Sequence, residues 1–287
     1  MRIVSLLPST TEILFAIGAG TDVVGVTFEC DFPAEARTRT VVSTSALPAG
    51  LTPAQIDAFV VTAVQRGEDL YRLDEGALAG LDADLVVTQD LCAVCAVDVT
   101  VVDDALAHLG CTAEVLTVDP HTLDEVLVSI LTLGDATGCG DRARAVVADQ
   151  RARLDAVADR VAPRVAAAGR PRVMFLEWTD PPFAPGHWIP EMIAVAGGEP
   201  LLATPGAASR RVTWEQVHAA EPDVVVVAPC GYDLAGSAAL ADDLLASGVL
   251  PAGVRVHAVD ANASWARPGT RLADGVEELA ALLHPGP

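Results

Sequence analysis

Residues 2–33, RIVSLLPSTTEILFAIGAGTDVVGVTFECDFP, put a short apolar run, a helix-spaced run and a second apolar run in immediate succession, and few folds accommodate that order. Residues 3–7 read as a buried strand. Ser9-Thr10-Thr11-Glu12 has the S-x-x-E spacing of a capping box, so a helix is predicted to start there and run over Ile13, Leu14 and Ile17. Gly18 and Gly20 stop it, and residues 23–26 begin the next strand. Strand, helix and strand make a right-handed βαβ crossover, which implies a parallel sheet. The turns after the strands, Pro8-Ser9 and Glu29-Cys30-Asp31, then fall at the carboxyl edge, where open α/β sheets bind ligands.

A weak repeat extends this unit. Residues 79–88 (AGLDADLVVT) are echoed by 219–227 (AAEPDVVVV), each a helix end running into an apolar strand. Asp119 and Asp260 end the following strand in each half. Between the halves, residues 140–169 carry Ala145, Val146, Leu154, Val157, Val161 and Val165 at helical spacing, with Pro163 expected to kink or interrupt the helix. The predicted fold is α/β: two Rossmann-like lobes with parallel sheets, residues 1–138 and 170–287, bridged by one long α-helix over 139–169. A chain of 287 residues can bury roughly 75% of its unfolded surface, enough for two such lobes without a disulfide or metal.

The stretch 2–33, the segment WTDPPFAPGHW at 178–188 and the run Ala196-Gly197-Gly198-Glu199 closely resemble the class III substrate-binding proteins, the cobalamin- and iron-chelate-binding family, over nearly the whole chain. The resemblance implies a non-catalytic protein that holds a large chelate or a corrinoid such as cobalamin in a cleft between the lobes. It also implies carried-over roles. Phe183 matches a ligand-touching position and Arg267 a ligand-facing arginine, while Ser9 caps the first helix beside the cleft. Glu215 matches an acid that docks on an ABC permease, and Asp74 or Glu75 loosely matches its counterpart. Where corrinoid binders place aromatic rings on the first lobe, this chain has Glu29, Ser45 and Gln89, so the first wall is expected to be polar; on the second lobe Ser209 replaces another ring.

The expected ligand-binding set is therefore Pro8, Ser9, Glu29, Cys30, Ser45, Gln89, Trp178, Phe183, His187, Trp188, Tyr232, Trp265 and Arg267. Three of the four tryptophans (Trp178, Trp188, Trp265) fall in turns, where they suggest flat surfaces for a large, partly apolar ligand. Cys92-Ala93-Val94-Cys95 offers two thiol ligands between a strand and a predicted helix over 99–108, and Cys30 lies in the neighbouring turn. A second reading follows: a cytoplasmic thiol- or metal-binding protein or enzyme on the same scaffold, using Cys30, Cys92 and Cys95, with His187 as a further candidate ligand for zinc or iron. Helix-start acids such as Glu75 and Glu215 are equally explained by the helix macrodipole.

Composition excludes other classes. The net charge is −21 and the 18 basic residues are all arginine, so no basic face for nucleic acid is visible. No G-x-S-x-G, Walker, H-E-x-x-H or G-x-G-x-x-G motif supplies a catalytic constellation. No apolar run is long enough to span a membrane. The first strand begins at residue 2 without a charged lead, apolar h-region or cleavage site, so a cytoplasmic monomer is expected; a periplasmic or extracellular protein delivering ligand to an ABC permease is the expectation if a leader precedes it.

Overall fold

The computed structural model describes residues 1–89, 102, 106–107 and 112–285. It divides into two compact units: residues 1–120 with 128–147, and residues 121–127 with 148–287.

The first unit is built on a six-stranded sheet in the order β4-β3-β2-β1-β5-β6, where β1 is Ile3–Ser5, β2 Val23–Thr27, β3 Thr40–Ser45, β4 Tyr71–Leu73, β5 Leu85–Thr88 and β6 Glu114–Thr117. Every pairing is parallel except β3 with β4, which is antiparallel. Ile3, Val4 and Val86 at its centre are fully buried, as expected of strands covered on both faces. Helix α1 (Pro8–Ala16) does not begin as a capping box at Ser9. Its N-cap is Leu7, without a side-chain cap, and Pro8 takes the first helical position, where a missing N–H costs nothing. Glu12 is thereby carried past the first turn to a buried position.

The second unit carries a four-stranded parallel sheet, β10-β7-β12-β13, from β7 (Arg172–Leu176), β10 (Glu199–Pro200), β12 (Val224–Val227) and β13 (Arg255–Ala258). A small antiparallel sheet, β11-β9-β8, is formed by β8 (Trp178–Thr179), β9 (Pro182–Ala184) and β11 (Arg210–Arg211). All four residues of β12 are fully buried.

The sequence repeat is a structural one. In the first unit the Asp84 carboxylate accepts the Arg2 amide at 2.7 Å; in the second, Asp223 accepts the Arg172 amide at 2.7 Å. The residue two before each aspartate, Asp82 and Glu221, has a positive φ of 43° and 44°. Each aspartate thus satisfies the first orphan donor of a strand beside it, β1 or β7, and fixes where that strand begins.

Helix Gly140–Ala168 is 29 residues long, about 44 Å at 1.5 Å per residue, and runs from the first unit into the second. Pro163 lies within its bounds and does not end it. Its buried stripe is Ala143, Val147, Gln150, Leu154, Val157 and Val161, spaced by fours and threes. Ala145, expected on that stripe, is exposed, because the stripe starts at Ala143 and Arg and Asp fill the intervening positions. In the second unit Arg153 of this helix bonds Asp274 and Glu277 of the last helix, Leu272–Leu283. That guanidinium holds the Glu277 carboxyl below the usual glutamate range. Among the described residues no helix is long and apolar enough to cross a membrane.

Candidate functional site

At the carboxyl edge of the first sheet, the small polar residues turn inward. The Ser5 hydroxyl lies 2.7 Å from the Thr10 hydroxyl and 2.8 Å from that of Thr11; Thr11 is in turn 3.0 Å from the Leu7 carbonyl and 3.1 Å from the Cys30 thiol. Ser43 donates to Thr27 at 2.7 Å. These groups are buried, and so are Pro8, Ser9, Cys30 and Gln89, which the sequence placed on the ligand wall. The hydroxyls of Ser5, Thr10 and Thr11 tie the first helix to β1 and to the turn after β2, and Ser43 ties β3 to β2, because hydroxyls leaving water need partners. Cys30, read as a ligand or metal contact, is an interior thiol against Thr11. Cys92 and Cys95, and the predicted helix over 99–108 except residues 102 and 106–107, lie outside the described residues. Among the described residues no group of three or more His, Cys, Asp or Glu could hold a metal ion.

What this edge exposes was missed in the sequence. Phe28 and Phe32, in the turn after β2, are 41% and 45% exposed, and the Phe28 ring lies 5.8 Å from that of Tyr71. Glu29 between them accepts the Tyr71 hydroxyl at 2.8 Å, while Ser45 is exposed nearby on β3. The first wall is therefore not purely polar, as Glu29, Ser45 and Gln89 had suggested. No sequence signal placed them: Phe28 and Phe32 fall in a turn, with no strand or helix period to set them inside or out.

The second unit sorts its aromatic residues differently. Trp265 is fully buried, 4.9 Å from the Phe175 ring, and its carbonyl accepts the Trp188 indole N–H at 2.8 Å. Trp188 is 5% exposed. Both were read as flat ligand surfaces, and both are core: the indole of Trp188 finds its partner on the backbone of Trp265 instead of at a surface. Gly275 in the last helix makes room, since a Cβ there would stand 3.0 Å from the Trp265 ring.

Trp178, Phe183 and Tyr232 remain half-buried. Trp178 donates its indole N–H to the Asp180 carbonyl at 3.2 Å and meets Tyr232 edge-on, centroids 5.9 Å apart. Burial pushes the Tyr232 phenol up. Arg211 of β11 lies over the Phe183 ring at 5.7 Å. The loop between these residues is pinned by Glu177, whose carboxylate accepts the Gly186 amide at 2.8 Å. Gly186 is obligatory, because a Cβ would fall 2.1 Å from the Ser209 nitrogen. His187 follows at φ +51°, half-buried, its proton affinity lowered by burial and by the nearby His121. Arg267 is half-buried on the turn before the last helix.

Glu75 and Glu215 are exposed in the first turns of Glu75–Ala79 and Trp214–Ala219. Bonds from Thr213 and from its own amide keep Glu215 ionised, below the usual range. The neighbouring N-caps, Asp74 and Thr213, accept from Ala77 and Gln216. A cavity of about 700 Å³ on the second unit is lined by Arg164, Arg170 and Arg255, yet it sits at the amino ends of β7, β12 and β13. Arg164 and Arg170 there hold backbone carbonyls, so it is set apart from the carboxyl-edge turns.

A family model described as periplasmic binding protein matches residues 3–253. No curated protein matches the chain. Among solved structures, the apo periplasmic heme-binding protein RhuT from Roseiflexus sp. RS-1 is 25% identical with a TM-score of 0.71, covering 99% of this chain and 97% of its own. A periplasmic heme binding protein from Pseudomonas aeruginosa is 20% identical (TM-score 0.74; 99% and 93% covered), and the vitamin B12 binding protein BtuF of Vibrio cholerae 22% identical (TM-score 0.69; 98% and 96%).

Proposed function

The chain belongs to the periplasmic binding protein family, and from that footing we propose that it is a non-catalytic receptor for a large planar tetrapyrrole, a heme or a corrinoid, held by the carboxyl-edge turns of its parallel sheets. The observation that carries this reading is the pair of exposed rings, Phe28 and Phe32, at the first sheet's edge, with Trp178, Phe183 and Tyr232 half-buried at the second's. Flat apolar faces with a few fixed polar groups suit a macrocycle whose rim is polar and whose faces are not. RhuT, at 25% identity, is a heme-binding protein, which supports the same class. Glu75 and Glu215 are the docking acids in this reading, meeting basic residues of an ABC permease, and the protein works outside the cytoplasm.

Titrating the protein with hemin, cobinamide and cobalamin, followed by absorbance, tests it: at least one should give a saturable band shift. Covering the exposed halves of two phenyl rings is worth roughly 2 kcal/mol, so F28A/F32A should weaken that ligand by about 30-fold. Stability should change by less than ~1 kcal/mol, since these rings face water. No shift with any of the three ligands, or a double variant that binds like the wild type, removes the proposal.

A further inference from the structure

Two imidazoles far apart in sequence stand together in the second unit, His187, a candidate ligand by sequence, and His121, which has no role so far. His121 precedes the helix Leu123–Ala136 and is exposed; His187 precedes the helix Ile189–Val195 and is half-buried. Their ring centroids are 5.8 Å apart, with the planes inclined by 45°. The backbone that carries each ring is held by hydrogen bonds. The His187 backbone adopts φ +51°, which non-glycine residues avoid, and is held there on both sides: its amide donates to Ala207 at 2.6 Å and its carbonyl accepts from Gly206 at 3.0 Å. The His121 amide donates to Glu125 at 2.6 Å, and the same carboxylate takes the Thr122 amide at 3.1 Å. Glu191, next in line, accepts the Leu123 amide at 2.6 Å.

We propose that His121 and His187 form a two-imidazole site for a late first-row divalent cation, of the zinc or copper(II) class, with its remaining positions open to water or a small anion. An imidazole nitrogen lies about 2.0–2.1 Å from such an ion, which puts two ligating nitrogens within about 4 Å of one another and their ring centres on the order of 6 Å apart. The observed separation meets that span. Imidazole is the ligand these ions favour, whereas calcium and magnesium want oxygen. Glu125 and Glu191 each give one carboxylate oxygen to backbone amides, and no group of three or more such ligands is assembled among the described residues. Backbone strain confined to one of two facing histidines is what a preorganised ligand pair would retain.

The test uses the full chain without a histidine tag, in a background with Cys92, Cys95, Cys111, Cys139 and Cys230 changed to serine so that only the buried Cys30 thiol remains, and bare metal ions in place of any tetrapyrrole. With one equivalent of copper(II), paramagnetic resonance should show coupling to two nitrogens. H121A and H187N should each reduce this to one nitrogen and weaken zinc binding by calorimetry at least as much as loss of an outer partner does, roughly 10–100-fold. Asparagine is chosen at 187 because it tolerates positive φ. H218A, whose ring is engaged by the Val249 carbonyl, should leave both readings unchanged. A single-nitrogen or oxygen-only spectrum in the parent protein, or zinc binding by H121A and H187N equal to the parent's, overturns the site. Because no macrocycle is present, failure of the tetrapyrrole reading leaves this outcome untouched.

Discussion

The two units share a strand plan and an aspartate that starts it, Asp84 in one and Asp223 in the other, but finish their carboxyl edges with opposite materials. In the first, hydroxyls and a thiol are folded inside and phenyl rings are left in solvent. In the second, two tryptophans are folded inside and a tryptophan, a phenylalanine and a tyrosine are left half-covered. The difference teaches that residue type in a turn does not decide which way the side chain faces. For Trp188 and Trp178 the difference lies in where the indole N–H finds its partner. Trp188 finds the Trp265 carbonyl and is buried; Trp178 finds the carbonyl of Asp180 two residues on and stays at the surface.

The largest effect should come from testing that distinction directly. W265A empties a fully buried site against Phe175 and should cost about 3–5 kcal/mol, read by denaturant unfolding. W178A, which gives up a half-covered ring, should cost about 1 kcal/mol or less. Equal costs for the two would mean that Trp178 is as much core as Trp265, and the division of the second edge into inner and outer rings would collapse.

The first edge offers the polar counterpart. T11V keeps the shape of the side chain and removes the hydroxyl that Ser5, the Leu7 carbonyl and Cys30 surround. A buried group left without its partner should cost roughly 1–2 kcal/mol, measured as a shift of the unfolding midpoint at unchanged slope. A neutral T11V would show that the hydroxyl network is incidental to how the first helix is seated.

These cases also mark how far the sequence could be read. The βαβ opening, the repeated aspartate and the long helix were legible because each is a backbone-scale regularity: apolar runs of strand length, a strand start needing one acceptor, a stripe of threes and fours. The helix start at Pro8 was legible too and was misread, since the S-x-x-E spacing outweighed a proline at the first helical position. The orientation of Phe28, Phe32, Trp188 and Trp265 was not legible, for it depends on contacts from distant residues: Phe175 and Gly275 around Trp265, Tyr71 beside Phe28. The meeting of His121 with His187 was hidden for the same reason.

The smallest expected effect is a difference in acid sensitivity. The second unit holds His257 on β13 and His284 after the last helix, and burial pushes the proton affinity of both down, with Arg255 adding to it at His257 and Arg164 and Arg170 at His284. The one histidine in the sequence of the first unit, His108, lies outside the described residues. The sign follows from proton counting. A histidine lowered in the folded state stays neutral where the unfolded chain has already taken up its proton. Stability is therefore intact above the ordinary histidine value, about 6.5, and falls as the pH drops below it. The carboxylate contribution of Glu277 belongs to a lower window, being lost only as the pH falls below the ordinary glutamate value of 4.5. Between pH 7 and 5, amide exchange should thus quicken in the strands of the second sheet before those of the first. H257L removes a buried ring nitrogen that has no hydrogen-bond partner and should flatten that acid slope without lowering stability at pH 7.5. If the first sheet opens earlier, or H257L leaves the slope as steep, the acid response lies in groups common to both units and does not tell them apart.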